Sequence, residues 1–434
     1  MDMIKVLSSI KKWENYIVNK KNLKQKYNTH IIDIVFTIIN NVKLNGDLAL
    51  KKYSIKYDNV QIENFKVEKK DFQKAFIKTS NKLKKSIEKA CNNIKSFHNK
   101  QIYKENKIEI SSGILCWRKN IPIEKVGFYI PGGTAPLLST ILMLGIPAKL
   151  AGCKNIILCT PPDKYGEINP SLLYTAKYLD IDNIYKVGGA QAIAAMAYGT
   201  ESIPNVYKIF GPGNTYVTTA KKIISQDNII SVDFPAGPSE IVIIADEYAN
   251  PKYVASDLLS QSEHDIESFV LLLTINKNFW IKKMKEELKK QFLALDKRTN
   301  IVKKSLENSK ILILSSLEEC ISLANEIAPE HLILNCYNAC YFSEKIINAG
   351  SVFLGNYSPV SAGDYATGTN HVLPTHGYAK SYSGLSVDSF LKKITFQKLS
   401  KKGLNNLSEC IGILSLEEGL MAHKNSVDIR FNDI

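Results

Sequence analysis

The sequence predicts an α/β protein built on two parallel sheets, because short apolar runs alternate with helical segments in two successive series. The runs are rich in β-branched residues and continuous, as is typical of strands buried on both faces. The candidate strands are 126–130, 155–159, 183–187, 206–210 and 229–233 in the first series, and 240–245, 269–273, 311–314, 332–335 and 351–354 in the second. We therefore predict two Rossmann-like doubly wound domains with small helical N- and C-terminal segments. Five strands in each series suggest a duplication.

The length of 434 residues points to more than one domain. A single hydrophobic core stops growing at roughly 250 to 300 residues, so a chain of this length needs at least two cores. With 45% hydrophobic and 23% charged residues, the composition is that of an ordinary soluble globular protein.

The net charge of +14 raises the question of a nucleic-acid partner. The 56 basic residues include only three arginines, Arg118, Arg298 and Arg430, and the lysines are scattered along the chain. Arginine is the residue that best makes bidentate contacts with phosphates and bases, so its scarcity argues against a nucleic-acid surface. We expect no nucleic-acid partner.

The chain carries no segment that predicts a membrane or secretory location. No apolar run reaches the roughly 18 residues of a membrane span, and the longest candidate, 135–148, contains Ser, Thr, Gly and Pro. The N-terminus lacks the apolar core of a signal peptide, so a cytoplasmic location is expected. The eight cysteines form no C-x-x-C pair and are predicted to be reduced and mostly buried. Cys116 and Cys153 lie near glycine-rich turns, but no neighbouring histidine in the sequence favours either as a nucleophile.

The two ends of the chain are predicted to be mainly helical. Apolar residues recur at helical spacing through residues 1 to about 105 and again through the last fifty residues. Between Ile108 and Arg118 an alternating pattern predicts a strand or hairpin. Near the C-terminus, Glu418 and His423 would lie on different sides of an unbroken helix, and Gly419 is expected to interrupt it.

Glycine-rich turns follow three strands of the first series, at 131–134, 188–191 and 211–214. In doubly wound sheets, ligands bind outside the carboxyl ends of the strands, where such turns let backbone N–H groups approach phosphates. The turns favour a nucleotide. None of them forms the G-x-G-x-x-G fingerprint, so the dinucleotide-binding type is incomplete, and tight connections remain an alternative interpretation.

The stretch from Asn250 to Asp265, NPKYVASDLLSQSEHD, predicts a helix whose buried face ends in polar groups. Asn250 before Pro251 is a helix start, since Asn caps free amides and Pro fits the first helical position. Gln261 continues the apolar face, and His264 follows three residues later. Together they could hold one cation, although a polar helix end with a satisfied histidine explains the same pattern.

Two stretches near the end of the second series also carry polar groups that suit catalysis. Ala328-Pro329-Glu330-His331 places a carboxylate beside an imidazole directly before an apolar strand. The segment 356–378 has no clear periodicity and contains Asp364, His371 and His376. A long aperiodic segment inside a compact protein is usually functional or disordered, and its aromatics and few charges favour function.

Taken together, these segments resemble the histidinol dehydrogenase family, from about Gly113 to the C-terminus. The N-terminal hundred residues match only in general helical character. The resemblance lies in VGFYIPGGTAPLLST, VGGAQAIAAMAYGTESIP, KIFGPGNTYVTTAK, DFPAGPSEIVIIAD, ASDLLSQSEHD, PEHLIL, SVFLGNYSPVSAGDYATGTNHVLPT and AHKNSV.

The resemblance implies a set of site residues, and every position holds the expected residue type. The implied ligands of one zinc ion per subunit are Gln261, His264, Asp364 and His423. Glu330 and His331 are the implied acid–base pair. The implied substrate contacts are Ser239, Gln261, His264, His331, Asp364, His371, Glu418 and His423, and the implied NAD contacts are Tyr129, Gln191 and Asn214.

The resemblance also implies the reaction and the assembly. The expected activity is oxidation of L-histidinol to L-histidine with two NAD⁺ through a bound histidinaldehyde, the last step of histidine biosynthesis. The expected partner is a second copy of the chain, whose C-terminal segment completes the active site. The expected division is 1–25 as an N-terminal helical segment, 26–125 plus 238–380 as the larger domain with metal and catalytic residues, 126–237 as the NAD-binding domain, and 381–434 as the segment reaching the partner.

Three other functions fit parts of the pattern. A lysine-rich nucleic-acid-binding protein would need clustered arginines or aromatics. A zinc-dependent hydrolase could use the same His, Asp and Glu residues, but it would not need three glycine turns on the preceding domain. A related dehydrogenase acting on another amino or sulfonated alcohol is the nearest alternative, and His371 and Glu418 favour histidinol over it.

Overall fold

The computed structural model describes residues 3–7, 10–103, 105–132, 136–227, 230–234, 237–276 and 278–431. Its helices are α1 (Ile10–Tyr53), α2 (Lys69–Lys78), α3 (Asn81–Asn99), α4 (Leu138–Ala151), α5 (Pro170–Tyr178), α6 (Gly189–Tyr198), α7 (Thr215–Gln226), α8 (Pro251–Ser262), α9 (Asn278–Leu293), α10 (Thr299–Asn308), α11 (Leu317–Ile327), α12 (Ala339–Ser343), α13 (Val360–Tyr365), α14 (Lys401–Glu417) and α15 (Met421–Asp428). A π-helical turn at Ser54–Asp58 and 3₁₀ turns at Tyr378–Lys380 and Val387–Phe390 connect some of them.

The strands agree closely with the two predicted series. They are β1 (Lys5–Leu7), β2 (Ile108–Ser111), β3 (Ile114–Pro122), β4 (Lys125–Tyr129), β5 (Asn155–Thr160), β6 (Asn183–Lys186), β7 (Lys208–Phe210), β8 (Ser231–Val232), β9 (Glu240–Ala245), β10 (Phe269–Thr274), β11 (Lys310–Ile313), β12 (His331–Asn335), β13 (Ser351–Leu354) and β14 (Leu391–Leu399). Each of the ten predicted runs overlaps one of these strands.

Both large sheets are parallel and wound in the same order. The first sheet has the order β6-β5-β4-β7-β8, so the chain moves outward from β4 in one direction and then returns to add β7 and β8 on the other side. The second sheet has the order β1-β11-β10-β9-β12-β13 and repeats this winding around β9. The prediction of two doubly wound sheets is confirmed.

Two strands lie in terminal regions for which the sequence predicted only helices. Strand β1 extends the second sheet by pairing with β11, and β14 pairs along its whole length with β3 in a small antiparallel sheet with β2. The predicted hairpin at 108–118 forms part of that sheet. Strand β1 has three residues and β14 is exposed at most positions, so neither produces the apolar run of a buried strand.

Helices cover the first sheet on both faces. Helices α1, α6 and α7 form one core with the sheet, and α3, α4 and α5 form another on the opposite side. The second sheet carries α8, α9 and α10 on one face and α11 and α12 on the other. Residues of α1 and α3 thus belong to the cores of the first sheet, and the division into domains stays a prediction.

Residues 140–148 of the longest apolar stretch belong to the core rather than to a membrane span. Residues 138–151 form α4, and its side chains from Thr140 to Ala148 are buried. Its 14 residues extend for about 21 Å, short of the roughly 30 Å of a bilayer core. In the described ranges of the chain, no helix is both long and apolar enough to cross a membrane.

Candidate active site

Helix α8 begins as the sequence predicts but ends before His264. The side chain of Asn250 accepts a hydrogen bond from the backbone N–H of Lys252 (3.0 Å), and Pro251 is the first helical residue. Gln261 lies in the last turn and is fully buried. His264 follows the helix end and is partly exposed, so Gln261 and His264 do not belong to one continuous helix. They come from the helix and from the turn after it.

The polar residues of the second sheet gather at the amino ends of its strands. Ser239 directly precedes β9, and His331 is the first residue of β12. Glu330 accepts a hydrogen bond at Oε2 from the backbone N–H of Glu240 (2.9 Å), which joins the two strand starts. Helix α8 connects the end of β9 to the start of β10, so its C-terminal turn with Gln261 reaches the same edge. This amino-edge location agrees with the prediction that Glu330 and His331 stand directly before an apolar strand.

His331 lies between two carboxylates. Its Nδ1 is 3.7 Å from Glu330 Oε2, and its Nε2 is 3.6 Å from Asp364 Oδ1. His331 is 4% exposed, and neither of its ring nitrogens forms a hydrogen bond within the described part of the chain. A buried imidazole with two free nitrogens is costly unless a ligand or water completes its bonds. The arrangement therefore indicates a binding position beside this ring.

The protonation of this cluster follows from its burial and its charges. Burial disfavours the charged form of His331, but the Glu330 and Asp364 carboxylates outweigh it and raise the pKa of His331 to about 9. Burial raises the pKa of Glu330, opposed by the charge of His331. Burial also acts against ionised Asp364, yet the interactions with His331, His371 and His264 together outweigh it and lower the pKa of Asp364. The protonated forms of Glu330 and His331 are thus favoured, whereas Asp364 is favoured as the carboxylate.

His371 reaches the cluster from the aperiodic segment. Its Nδ1 is hydrogen-bonded to the backbone oxygen of Asp364 (2.8 Å), and its Nε2 to Thr140 Oγ1 (3.3 Å). His376 is placed next to the start of β9, where its backbone N–H donates to Glu240 Oε1 (2.8 Å). The sequence did not identify Thr140 as a site residue. A buried hydroxyl inside the otherwise apolar helix α4 is the signal that could have found it.

The residues of this chain offer ligands for a cation without completing a metal site. Gln261 is fully buried, and neither its amide oxygen nor its amide nitrogen has a hydrogen-bond partner among the residues that the structure describes. His264 Nε2 lies 3.9 Å from Asp364 Oδ2. Helix α13, which carries Asp364, packs against α8. Within the described residues, no three His, Cys, Asp or Glu side chains are arranged to hold a metal ion.

Among the described residues, Glu418 and His423 make no hydrogen bond to the polar groups of this cluster. Gly419 has φ +72° and separates α14 from α15, which confirms the predicted interruption. Both side chains are exposed, and their backbone bonds are local. The assignment of Glu418 and His423 to the site stays a prediction.

The three implied NAD contacts lie at the carboxyl edge of the first sheet. Tyr129 ends β4, and its hydroxyl accepts a hydrogen bond from the backbone N–H of Gly189 (3.0 Å). Gln191 is buried in the first turn of α6, and Asn214 caps α7 by accepting from the backbone N–H of Val217 (3.1 Å). These residues have structural roles at the position where doubly wound sheets bind ligands. Residues 133 and 134 of the first glycine turn lie outside the described ranges.

Comparison with known proteins assigns the chain to a family. The family described as Histidinol dehydrogenase matches residues 21–431. The histidinol dehydrogenase of Bacteroides thetaiotaomicron is 50% identical over 404 residues, which are 93% of this chain and 94% of that protein. That of Methanosarcina mazei is 45% identical and covers 92% of each chain. The crystal structure of histidinol dehydrogenase from Elizabethkingia anophelis superposes with a TM-score of 0.89, at 50% identity over 92% of both chains. The chain belongs to the histidinol dehydrogenase family, the NAD-dependent oxidoreductases that catalyse the last step of histidine biosynthesis.

Proposed function

We propose that this chain oxidises L-histidinol to L-histidine in two successive hydride transfers to two NAD⁺, through a histidinaldehyde that stays bound, with one zinc ion per subunit. The observation that carries the proposal is His331, buried between Glu330 and Asp364 with no hydrogen-bond partner at either ring nitrogen in the described part of the chain. An amino alcohol placed beside this ring would find a proton acceptor and two carboxylates within one cluster.

The proposed metal ligands are Gln261, His264, Asp364 and His423 of the partner subunit. The unpaired amide of Gln261 supports this set, because a fully buried amide normally has partners and a cation would supply one. When bound, zinc would hold the imidazole and amino groups of the substrate and so orient its alcohol carbon. Ser239, His371 and Glu418 are the proposed further substrate contacts.

His331 is the proposed general base for the hydroxyl proton. An imidazole can accept a proton as hydride leaves, release it, and repeat the step for the second oxidation. In the described structure, the charge of Asp364 contributes to the high pKa of His331. Engaging Asp364 with a ligand would remove part of that effect and let His331 accept a proton near neutral pH.

Glu330 is the proposed base that activates the water attacking the aldehyde. Its carboxyl group is held by the backbone N–H of Glu240 and by the side chain of Ser239, so it keeps a fixed position beside His331. A water bound between Glu330 and the aldehyde carbon would lose its proton to the carboxylate and form the hydrate. The hydrate carries the second hydride to be removed.

The first sheet, in residues 126–237, is the proposed NAD-binding domain. NAD would accept the hydride, and the chain's own residues would position the nicotinamide. Tyr129 is the last residue of β4, and Asn214 lies shortly after β7. The winding of the sheet reverses between these two neighbouring strands. In sheets of this type that position is the usual ligand crevice. Gln191, at the start of α6, is the third proposed contact.

We propose a cytoplasmic homodimer in which residues 381–434 reach the partner's site, built mainly from residues 238–380. The exposure of His423 supports this, because a side chain at the surface of its own chain can face a metal held by a second subunit. Leu414 and Met421 on the same segment are 59% and 63% exposed. Large apolar side chains left in water at this level indicate a surface that a second subunit covers.

The proposal is tested by counting NADH formed per histidine released from L-histidinol. Two NADH per histidine, with no free aldehyde, is the expected result. One NADH per turnover with release of aldehyde would contradict the second step. No NADH from histidinol, together with NADH from another amino alcohol, would point to the related dehydrogenase instead.

A further inference from the structure

The turn after β7 is pressed against the end of β4. Gly211 has φ +121°, and a Cβ there would lie 2.1 Å from the backbone oxygen of Tyr129. Only glycine fits this approach. Because Asn214 is three residues further on, the placement of the Gly211 peptide sets the distance between Tyr129 and Asn214, both proposed NAD contacts.

A buried ion pair holds Gly211 from both sides. Lys221 of α7 donates from Nζ to the backbone oxygen of Gly211 (3.0 Å), and Asp233 accepts from the backbone N–H of Gly211 at Oδ2 (2.8 Å). Lys221 and Asp233 also form an ion pair with each other, and their side chains are only 8% and 4% exposed. The three contacts close a ring around one peptide position.

Burying an ion pair to hold a turn costs free energy. Removing two charges from water carries a large desolvation cost before any gain, and apolar replacements of buried pairs are often as stable. A buried ion pair is therefore weak support for a purely stabilising role. Here Lys221 and Asp233 bond to the C=O and the N–H of one glycine at the edge of the proposed cofactor crevice. Holding that peptide in place explains the buried pair better than a contribution to the stability of the fold does.

We propose that Lys221 and Asp233 are positioning residues for the dinucleotide, which fix the 211–214 turn and thereby the spacing of Tyr129 and Asn214. The inference rests on the proposed NAD contacts. Neither side chain touches the cofactor in this account. Their charges cancel, so they act through the turn and not through attraction to the phosphates.

The test is equilibrium binding of NAD⁺ together with steady-state kinetics of the zinc-loaded enzyme, for chains carrying Lys221→Met or Asp233→Asn, and the Kd for NAD⁺ should rise with the KM. The KM for NAD⁺ should rise by about tenfold or more while the KM for histidinol stays within about twofold, since only the cofactor turn moves. Lys177→Met, which removes the surface ion pair with Asp182 in the same domain, is the matched control and should change neither constant. A merely structural role would lower the fraction of active enzyme, and so kcat, with the KM for NAD⁺ unchanged. That result would overturn the inference.

Two more variants keep the test decisive. Should Lys221→Met fail to fold, Lys221→Arg retains the charge while changing the donor geometry, and a KM for NAD⁺ equal to wild type would reject the proposal. Asn214→Ser keeps a helix-capping oxygen but loses the amide, so it probes the NAD contact itself. No effect of Asn214→Ser on the KM for NAD⁺ would reject the proposed contact. A change in the KM for NAD⁺ in Asn214→Ser, without a change in the Lys221 variants, would reject only the positioning role of Lys221 and Asp233.

Discussion

His331 Nε2 lies 3.6 Å from Asp364 Oδ1, where the amino end of β12 meets α13. His331 is half of the proposed acid–base pair, and Asp364 is one of the proposed metal ligands. A single short contact thus joins the proton-transfer groups to the groups that would orient the substrate. Substitutions of the proton-transfer groups and substitutions of the substrate-orienting groups should therefore have separable effects.

Replacing His331 with Gln should lower kcat by about 10² to 10⁴-fold, the usual contribution of a general base. Gln is similar in size, so the thermal midpoint should change little. The measurement is NADH formation from L-histidinol at saturating NAD⁺ and zinc. His30→Gln, at an exposed position on α1, is the matched control and should retain full activity. A His331→Gln enzyme with more than about a tenth of wild-type kcat would remove His331 from its proposed role.

Replacing Glu330 with Gln should affect the second oxidation more than the first. The amide can still accept from the Glu240 N–H, but it cannot take a proton from water. Single-turnover measurements with histidinol and with histidinaldehyde separate the two steps. We expect the aldehyde reaction to slow by at least about 10²-fold and the alcohol reaction by less. Equal losses in both steps would contradict the assignment of water activation to Glu330.

Replacing Gln261 with Leu should remove metal binding without destabilising the metal-free protein. A buried amide without partners costs about 1 to 3 kcal/mol, and Leu removes that cost. The melting temperature of chelator-treated Gln261→Leu should equal or exceed that of treated wild type. Added zinc should raise the midpoint of wild type and of an exposed control, Gln397→Leu, but not that of Gln261→Leu. A full zinc-induced rise in Gln261→Leu would exclude Gln261 as a ligand.

The buried Asp257 should make stability depend on pH. Burial raises the pKa of Asp257 to about 7, against the effect of a hydrogen bond from the backbone of Val360. An acid whose pKa is higher in the folded state binds its proton more tightly there, so it stabilises the fold at low pH and loses that effect as pH rises toward 7. Between pH 5 and pH 8 the loss is about 3 kcal/mol.

Asp257→Asn keeps an acceptor for Val360 and removes the titration. The melting temperature of the variant relative to wild type should therefore rise as pH goes from 5 to 8. Asp182→Asn, at an exposed position, should show no such trend. A constant difference between Asp257→Asn and wild type across this range would show that Asp257 keeps an ordinary pKa.

The sequence predicted the repeated architecture well because buried parallel strands have a strong local signature. All ten runs were found, with Glu240–Ala245 and Ser351–Leu354 at their observed bounds. Strands β1 and β14 were missed, since a strand of three residues and a largely exposed one carry little apolar pattern. Their pairing is decided by partners distant in sequence.

The candidate site was predicted less completely from the residues alone. Asn250 and Pro251 gave the start of α8 correctly, because caps act locally. The position of His264 beyond the helix end, and the use of the amino edge of the second sheet, depend on how separate elements meet. Thr140 was missed for the same reason, because its contact with His371 joins residues 231 positions apart.

The most direct test of the account is complementation between inactive chains. A His331→Ala chain and a His423→Ala chain should each be inactive alone. If His423 acts in the partner's site, each mixed dimer has one intact site. Random exchange of a 1:1 mixture makes about half the dimers mixed, so activity should return to about a quarter of wild type. Mixed dimers, verified by mass, that remain inactive would contradict a shared site built from Glu330, His331 and the partner subunit's His423.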